Sequence, residues 1–305
     1  MKDLGIKIEK TLKYYWCRFM AIVRSVYWCA AKPVLKQPIF IVGCSRAGTT
    51  LVYKTFSESA ELGTLQKETH DFWMALQPLD KRHWDTHALD ATDANENDRL
   101  AVSRYFFTET GHLHVVDKNN QNGLCIPYLH KLFPDAVFIY VKRSPGDNIN
   151  SLIEGWGKGI QFSTWSDDIP ENVNVENGKF RRWNFFLSEG WRNYLNSSIE
   201  DVCAFQYRSM NSAIMKARQN IPASQWFEIK YEDILSDPVK SFQQAFGHAG
   251  LKFTPAIKAH CETVLSNPYN AFSEIKKDKW KEGRNMQRIE RVIKQVEDIA
   301  SEMGY

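Results

Sequence analysis

The chain has 305 residues, 43% of them hydrophobic and 25% charged, with a formal net charge of +3. That composition fits a globular protein of one large domain or two small ones, and argues against a disordered or fibrous chain. The small net charge argues against a dedicated nucleic-acid binder, while leaving room for a local basic cleft around an anionic ligand.

The six cysteines, Cys17, Cys29, Cys44, Cys125, Cys203 and Cys261, are scattered. None forms a C-x-x-C pair, and no Cys/His cluster has zinc spacing, so reduced thiols in a cytoplasm and no metal site are expected. Arg18 and Arg24 interrupt the N-terminal apolar stretch. A cleavable signal peptide or a membrane-spanning helix is therefore not expected.

In chain order, residues 6–31 read as one amphipathic helix within an N-terminal arm, 1–37. Leu12, Trp16, Phe19, Val23, Val26 and Tyr27 share a stripe at helical spacing, with Lys10, Lys13, Cys17 and Arg24 largely opposite. Docking of that stripe on the protein's own core or on a partner subunit is the first expectation. Peripheral contact with an anionic membrane surface is the other. The chain leaves its oligomeric state open.

Residues 38–59 carry the strongest local pattern. Ile39-Phe40-Ile41-Val42 is a short apolar run that reads as a buried strand. Gly43 ends it, Gly48 follows, and Thr49 begins a helical pattern. A strand, a glycine-bounded turn and a helix start aim backbone N–H groups at an anion. Gly43, Gly48 and Thr50 match the spacing of a Walker loop, but Thr49 stands where its lysine belongs and the positive charge lies inside the loop at Arg46. Such a loop suits an oxyanion gripped by an arginine fork better than the Lys and Mg²⁺ handling of a γ-phosphate.

Further along, residues 61–70 suggest a second short strand ending at Glu68, Thr69 and His70. Residues 78–99 read as a polar surface excursion, and a helix is expected over 99–108. His114 to Asn119 predicts a strand running into a polar turn, and 124–132 a helix. Ala136 to Val141 predicts a buried strand that delivers Lys142 and Arg143 at its end. Ser144-Pro145-Gly146-Asp147 has the form of a capped helix start. Residues 157–180 read as a loop, 198–219 as helical, Trp226 to Tyr231 as a strand, 232–238 as a loop, 239–249 as a helix and 286–303 as one amphipathic helix. Strands alternating with helices imply an α/β fold of three layers, a central parallel sheet flanked by helices. Ligands in such sheets bind beyond the C-terminal strand ends, where Arg46, Lys118 and Arg143 fall.

These residues also carry a family resemblance. Gly43-Cys-Ser-Arg46-Ala-Gly48-Thr49-Thr50-Leu51 resembles the 5′-phosphosulfate loop of sulfotransferases that use 3′-phosphoadenosine 5′-phosphosulfate (PAPS). Phe138 to Leu152, with Arg143 and Ser151, is similar to that family's 3′-phosphate motif. Asp117-Lys118-Asn119, Leu132 to Ala136, Tyr231-Glu232-Asp233-Ile234-Leu235 with Asp237-Pro238, and the ending Met303-Gly304-Tyr305 follow in the family's order. The nearest likeness is to the branch shared by bacterial and tyrosylprotein sulfotransferases. Ala47 departs from the commoner serine of the loop, and Ser144 from the aspartate of R-D-P.

The resemblance implies a P-loop-like sulfotransferase domain over 38–305, and transfer of a sulfuryl group from PAPS to a hydroxyl or amine acceptor, without a metal. The acceptor class is a small molecule, glycan or lipid. By resemblance, Arg46, Ala47, Gly48, Thr49 and Thr50 would hold the 5′-phosphosulfate, and Arg143 and Ser151 the 3′-phosphate. Lys118 would stabilise the leaving oxygen, with Asn119 and Asn122 as neighbours that orient it. The general base lies between Glu68 and His70, with Glu68 favoured by its Glu-Thr pair. Trp73, Trp156 and Trp183 are read first as core and secondly as acceptor-pocket walls. Two rivals remain: a catalytically inactive relative that binds PAPS or its product 3′-phosphoadenosine 5′-phosphate (PAP), and a P-loop nucleotide kinase.

Overall fold

The computed structural model describes residues 2–266 and 276–305. Helix α1 (Lys2–Ala31) precedes strand β1 (Ile39–Val42) and helix α2 (Thr49–Phe56). Then come α3 (His70–Leu76), α4 (Glu96–Thr110), β2 (Val116–Lys118), α5 (Ile126–Leu132), β3 (Val137–Lys142) and α6 (Pro145–Trp156). A single distorted turn, α7 (Val175–Gly178), leads to α8 (Ile199–Arg218), β4 (Trp226–Lys230), α9 (Tyr231–Ser236), α10 (Pro238–His248) and α11 (Pro255–Thr263). Helices α12 (Met286–Val292) and α13 (Glu297–Glu302) finish the described chain.

The four strands form one parallel sheet in the order β2-β1-β3-β4. Its residues alternate between two layers, as a period of two requires. Phe40, Val42, Phe138 and Tyr140 pack with α5, α6 and α8, whereas Ile39, Ile41, Ile139 and Val141 pack with α2, α10 and α11. Both faces are covered, so β1 and β3 are buried along their whole length. From β1 the chain crosses towards β2, and from β3 it crosses the other way to β4. The crevice between the C-terminal ends of β1 and β3 is therefore the switch point where open α/β sheets bind ligands.

Local chemistry explains the helix starts. Asn95 accepts a hydrogen bond from the Asp98 N–H (3.0 Å) at α4, Ser198 one from Asp201 (3.3 Å) at α8, and Asp237 one from Lys240 (2.9 Å) at α10, which also opens on Pro238.

Several expectations change. Residues 61–70 form no strand: Gly63 makes an isolated bridge to Val115, and α3 starts at His70. Gln66, with φ +57°, turns the chain out of an extended path. Residues 232–238 are not a loop but largely helix α9, which Pro238 separates from α10 by removing a donor. The expected helix over 286–303 is interrupted by a 3₁₀ segment, Ile293–Val296. The excursion over 78–99 buries Leu79, His87 and Leu89. Ser144 begins α6 without capping it through its side chain; its hydroxyl donates instead to Asp147 (3.3 Å).

Helix α1 docks by the face opposite to the one expected. Arg24 donates to the carbonyls of Thr108 and Glu109 (3.3 and 3.2 Å), Trp28 is buried, and Arg104 lies over the Trp28 ring. A cation satisfying carbonyls at the C-terminal end of α4 is favourable in charge as well as geometry. The aromatic stripe, apart from the Tyr27–Phe107 ring contact, faces outward.

His87 ties the excursion to the loop at 185–188. Its Nδ1 accepts from the Leu187 N–H (2.7 Å), and its backbone N–H donates to the Leu187 carbonyl (3.0 Å). Burial, aided by the charge of Arg82, pulls its pKa from 6.5 down to about 3. Between these values the unfolded chain binds a proton that the folded one refuses, so this contribution is intact above pH 6.5 and is lost as pH falls below it. We predict that lowering the pH from 7 to 5 removes about 2 kcal/mol of unfolding free energy through this residue. His87→Gln should flatten that part of the profile in urea denaturation at the two pH values; equal slopes in both proteins would exclude His87 as its source.

Candidate active site

The loop after β1 is shaped by two close approaches. A Cβ at Gly43 would lie 2.6 Å from the Val141 carbonyl oxygen, so only glycine lets β1 leave the sheet beside β3. Gly48, with φ +105°, begins α2, and a Cβ there would lie 2.4 Å from the Tyr231 ring. Arg46 takes a left-handed backbone, φ +68°, which costs a non-glycine residue free energy and points to a functional constraint. Ala47 is buried in the core and its N–H donates to the Cys44 carbonyl (3.0 Å), so its side chain does not line the loop's open side. Thr49 is buried and Thr50 half-buried in the first turn of α2, where backbone N–H groups lack intrahelical acceptors.

The loop after β3 closes over this one. Arg143 donates from Nη1 to the Arg46 carbonyl (2.8 Å), and Asn148 from Nδ2 to the Ser45 carbonyl (2.9 Å). The Arg143 guanidinium lies over the Tyr231 ring, 4.6 Å from its centroid. Tyr231 is thus a platform between Gly48 and Arg143, a role the sequence reading did not assign. Lys142 turns away, bonded to Glu228 (2.6 Å) and the Met303 carbonyl (3.0 Å). Of the two strand-end cations, only Arg143 enters the crevice. Ser151 sits half-buried farther along α6.

Two arginines are therefore held together. Burial first, then the charge of Arg143, pulls the Arg46 pKa down to about 10, and Glu154, Tyr231 and Glu68 oppose that fall. Arg46 stays cationic at neutral pH, with Arg143 and Glu68 both within its electrostatic reach. Ser45 Oγ, Arg143 Nε and Asn148 Oδ1 are buried and make no hydrogen bond among the described residues. The two donors among them, Ser45 Oγ and Arg143 Nε, beside a doubly cationic loop fit an anionic ligand with several oxygens.

The other side of the crevice carries Lys118 and Glu68. Lys118, the last residue of β2, is buried and donates to Glu68 Oε1 (2.6 Å) and to Asn120 (3.1 Å). Asn120, rather than Asn119 or Asn122, orients the lysine. Asn122 instead donates to Asp117 (3.1 Å), which also accepts from Thr69 (2.6 Å) and Trp73 (3.0 Å). Burial raises the Asp117 pKa, and those three donors with the Lys118 backbone N–H hold it down. This buried carboxylate fixes the 68–73 segment against the end of β2. His70 lies beside Asp71 (3.2 Å), a nearly fully exposed residue, at the start of α3.

Trp156 and Trp183 are core residues, bonded to Gln206 and the Phe186 carbonyl. Trp73 lines a small cavity with His87, Asn119, Cys125, Tyr128 and Leu129. The structure also brings in a segment the sequence reading passed over. Asp147 accepts from the Asp278 and Trp280 N–H groups (2.8 and 3.1 Å), and the Trp280 ring lies where a Cβ on Gly146 would go. Its signal was a Trp among lysines just before Gly283. Glu232 bonds both the Ser144 N–H (2.9 Å) and the Tyr305 hydroxyl (2.7 Å), which draws the Met303–Tyr305 ending under the Arg143 loop. Among the described residues no cluster of His, Cys, Asp or Glu could hold a metal ion.

The family model described as "Sulfotransferase family" matches residues 38–185 and 176–255. Sulfotransferase STF9 from Mycobacterium avium shares the fold with a TM-score of 0.52 and 15% identity, over 90% of this chain and 81% of that one. The sulfotransferase domain of the Synechococcus PCC 7002 olefin synthase aligns with a TM-score of 0.49 and 16% identity, over 90% of this chain and 98% of that one. Retinol dehydratase, in complex with androsterone and inactive cofactor PAP, aligns at 0.49 and 12%, over 90% and 85%. No curated protein matches the chain in sequence. At 15% identity the STF9 match speaks for the fold alone, but the family model covers well over half of the chain. By that match, on a parallel sheet with its loops at the β1–β3 crevice, the chain belongs to the sulfotransferase family.

Proposed function

We propose that this protein transfers the sulfuryl group of PAPS to a hydroxyl acceptor and releases PAP. The observation that carries the reading is the clasp of Arg143 on the Arg46 carbonyl, at the N-terminus of α2, with Lys118 and Glu68 alongside. Arg46, Gly48, Thr49 and Thr50 would bind the 5′-phosphosulfate, and Arg143 and Ser151 the 3′-phosphate. The co-substrate supplies an activated sulfuryl group. The sulfur–oxygen bond to the phosphate breaks as a bond to the acceptor oxygen forms, and the hydroxyl proton passes to the Glu68 carboxylate.

Three residues then divide the electrostatic work. Arg46 disperses charge on the transferring group, and Lys118 neutralises the phosphate oxygen left behind. Glu68 accepts the proton. Its ion pair with Lys118 supports this division, because it holds base and cation side by side before substrates bind. His70 is set apart by its pairing with exposed Asp71. Thr49 in place of a Walker lysine speaks against the nucleotide-kinase reading.

Calorimetric titration in EDTA should show PAP binding far more tightly than ATP. Binding of neither, or of ATP only once Mg²⁺ is restored, would overturn the reading. Arg143→Ala should weaken PAP binding at least about tenfold, the scale of a lost charge-assisted hydrogen bond.

Glu68→Gln should leave PAP affinity nearly unchanged and lower turnover by about 10²- to 10⁴-fold, the usual contribution of a positioned base. PAP release from PAPS, followed across a panel of hydroxyl acceptors, measures it. Tight PAP binding in the unaltered protein with no turnover on any acceptor would identify an inactive relative.

A further inference from the structure

Helix α1 presents an apolar face that the rest of the described chain leaves uncovered. Leu12, Trp16 and Val26 are 66%, 63% and 69% exposed, and Tyr15, Phe19 and Ile22 are similarly open. They lie on the side away from α4, which holds α1 through Arg24 and Trp28. Monomeric soluble proteins rarely leave a continuous patch of this kind uncovered.

The charge around that face selects its occupant. From Lys10 to Ser57 the sequence contains no Asp or Glu, while Lys10, Lys13, Arg18, Arg24, Lys32 and Lys36 are all basic. At 100° per residue, Arg18 and Arg24 fall outside the arc occupied by Leu12, Tyr15, Trp16, Phe19, Ile22 and Val26. The result is an apolar face without charge that carries Tyr15, Trp16 and Phe19, flanked by exposed Arg18 and followed by exposed Lys32 and Lys36. That is the pattern of a helix lying in the interface of an anionic bilayer, its rings at headgroup depth and its cations on lipid phosphates.

A second copy of the chain is the competing occupant. Leu12, Tyr15, Phe19, Ile22 and Val26 do follow alternating steps of three and four. However, a coiled-coil pair needs acidic partners for cations such as Arg18, and this stretch of helix has none. Nor does any helix among the described residues have the length and hydropathy to cross a membrane.

We propose that α1 is a peripheral anchor that lays its Leu12–Val26 face on an anionic lipid surface. The test is sedimentation of the full chain with phosphatidylcholine vesicles, with and without phosphatidylglycerol, alongside the variant Trp16→Glu/Phe19→Glu. Unaltered protein should sediment with the anionic vesicles and be released by salt, and the variant should bind at least about tenfold more weakly. Matching thermal melts and PAP affinities would show that the variant is folded, and vesicle binding is independent of sulfuryl transfer. Absence of vesicle binding, equal binding to neutral vesicles, or equal binding by the variant would overturn the proposal. So would a dimer in sedimentation equilibrium that the variant converts to monomer while vesicles bind neither protein.

Discussion

Two arginines, each bearing a charge that the other feels, share one crevice. Arg143 donates to the carbonyl of Arg46, so the loops after β1 and β3 cannot move apart without losing that bond. Holding Arg46 there costs free energy: burial first, then the charge of Arg143, lowers its pKa, and its backbone is left-handed. Much of the surrounding structure offsets that cost. Tyr231 offers its ring to the Arg143 guanidinium, Glu232 fixes the backbone at Ser144, and the Tyr207 hydroxyl donates to the Arg143 carbonyl (3.2 Å). An anion with oxygens on both sides would relieve the repulsion that these contacts only contain.

The second cationic element is built differently. Lys118 is neutralised in place by Glu68, and the segment bearing Glu68 is fixed through the buried Asp117 and its three side-chain donors. One side of the crevice thus gathers two arginines, while the other holds a lysine bonded to a carboxylate.

The legible parts of the sequence were those whose signal is local. β1 and β3 are short β-branched and aromatic runs bounded by turns, and both formed where expected. Arg46 and Arg143 could be placed at the crevice because each lies in the loop that leaves such a strand. Tyr231 was hidden, since its contact with Gly48 joins residues that only the β3–β4 pairing and the turn into α9 bring together. Asn120 was passed over for Asn119 and Asn122, because a polar turn does not reveal which amide faces the lysine. α1 misled for a physical reason: an apolar stripe is normally read as the docking face, yet here carbonyls at the end of α4 bind Arg24 on the opposite side.

The strand order has a kinetic side. β1 sits between β2 and β3, so neither neighbour of this buried apolar strand is close to it in sequence. Closing such long loops delays parallel pairing, and topologies dominated by distant contacts fold slowly. The Arg46–Arg143 clasp spans the same separation and cannot form until β1 and β3 have paired. Until then Ile39-Phe40-Ile41-Val42 is an uncharged, unpaired strand edge, the segment on which aggregation during synthesis or refolding would start.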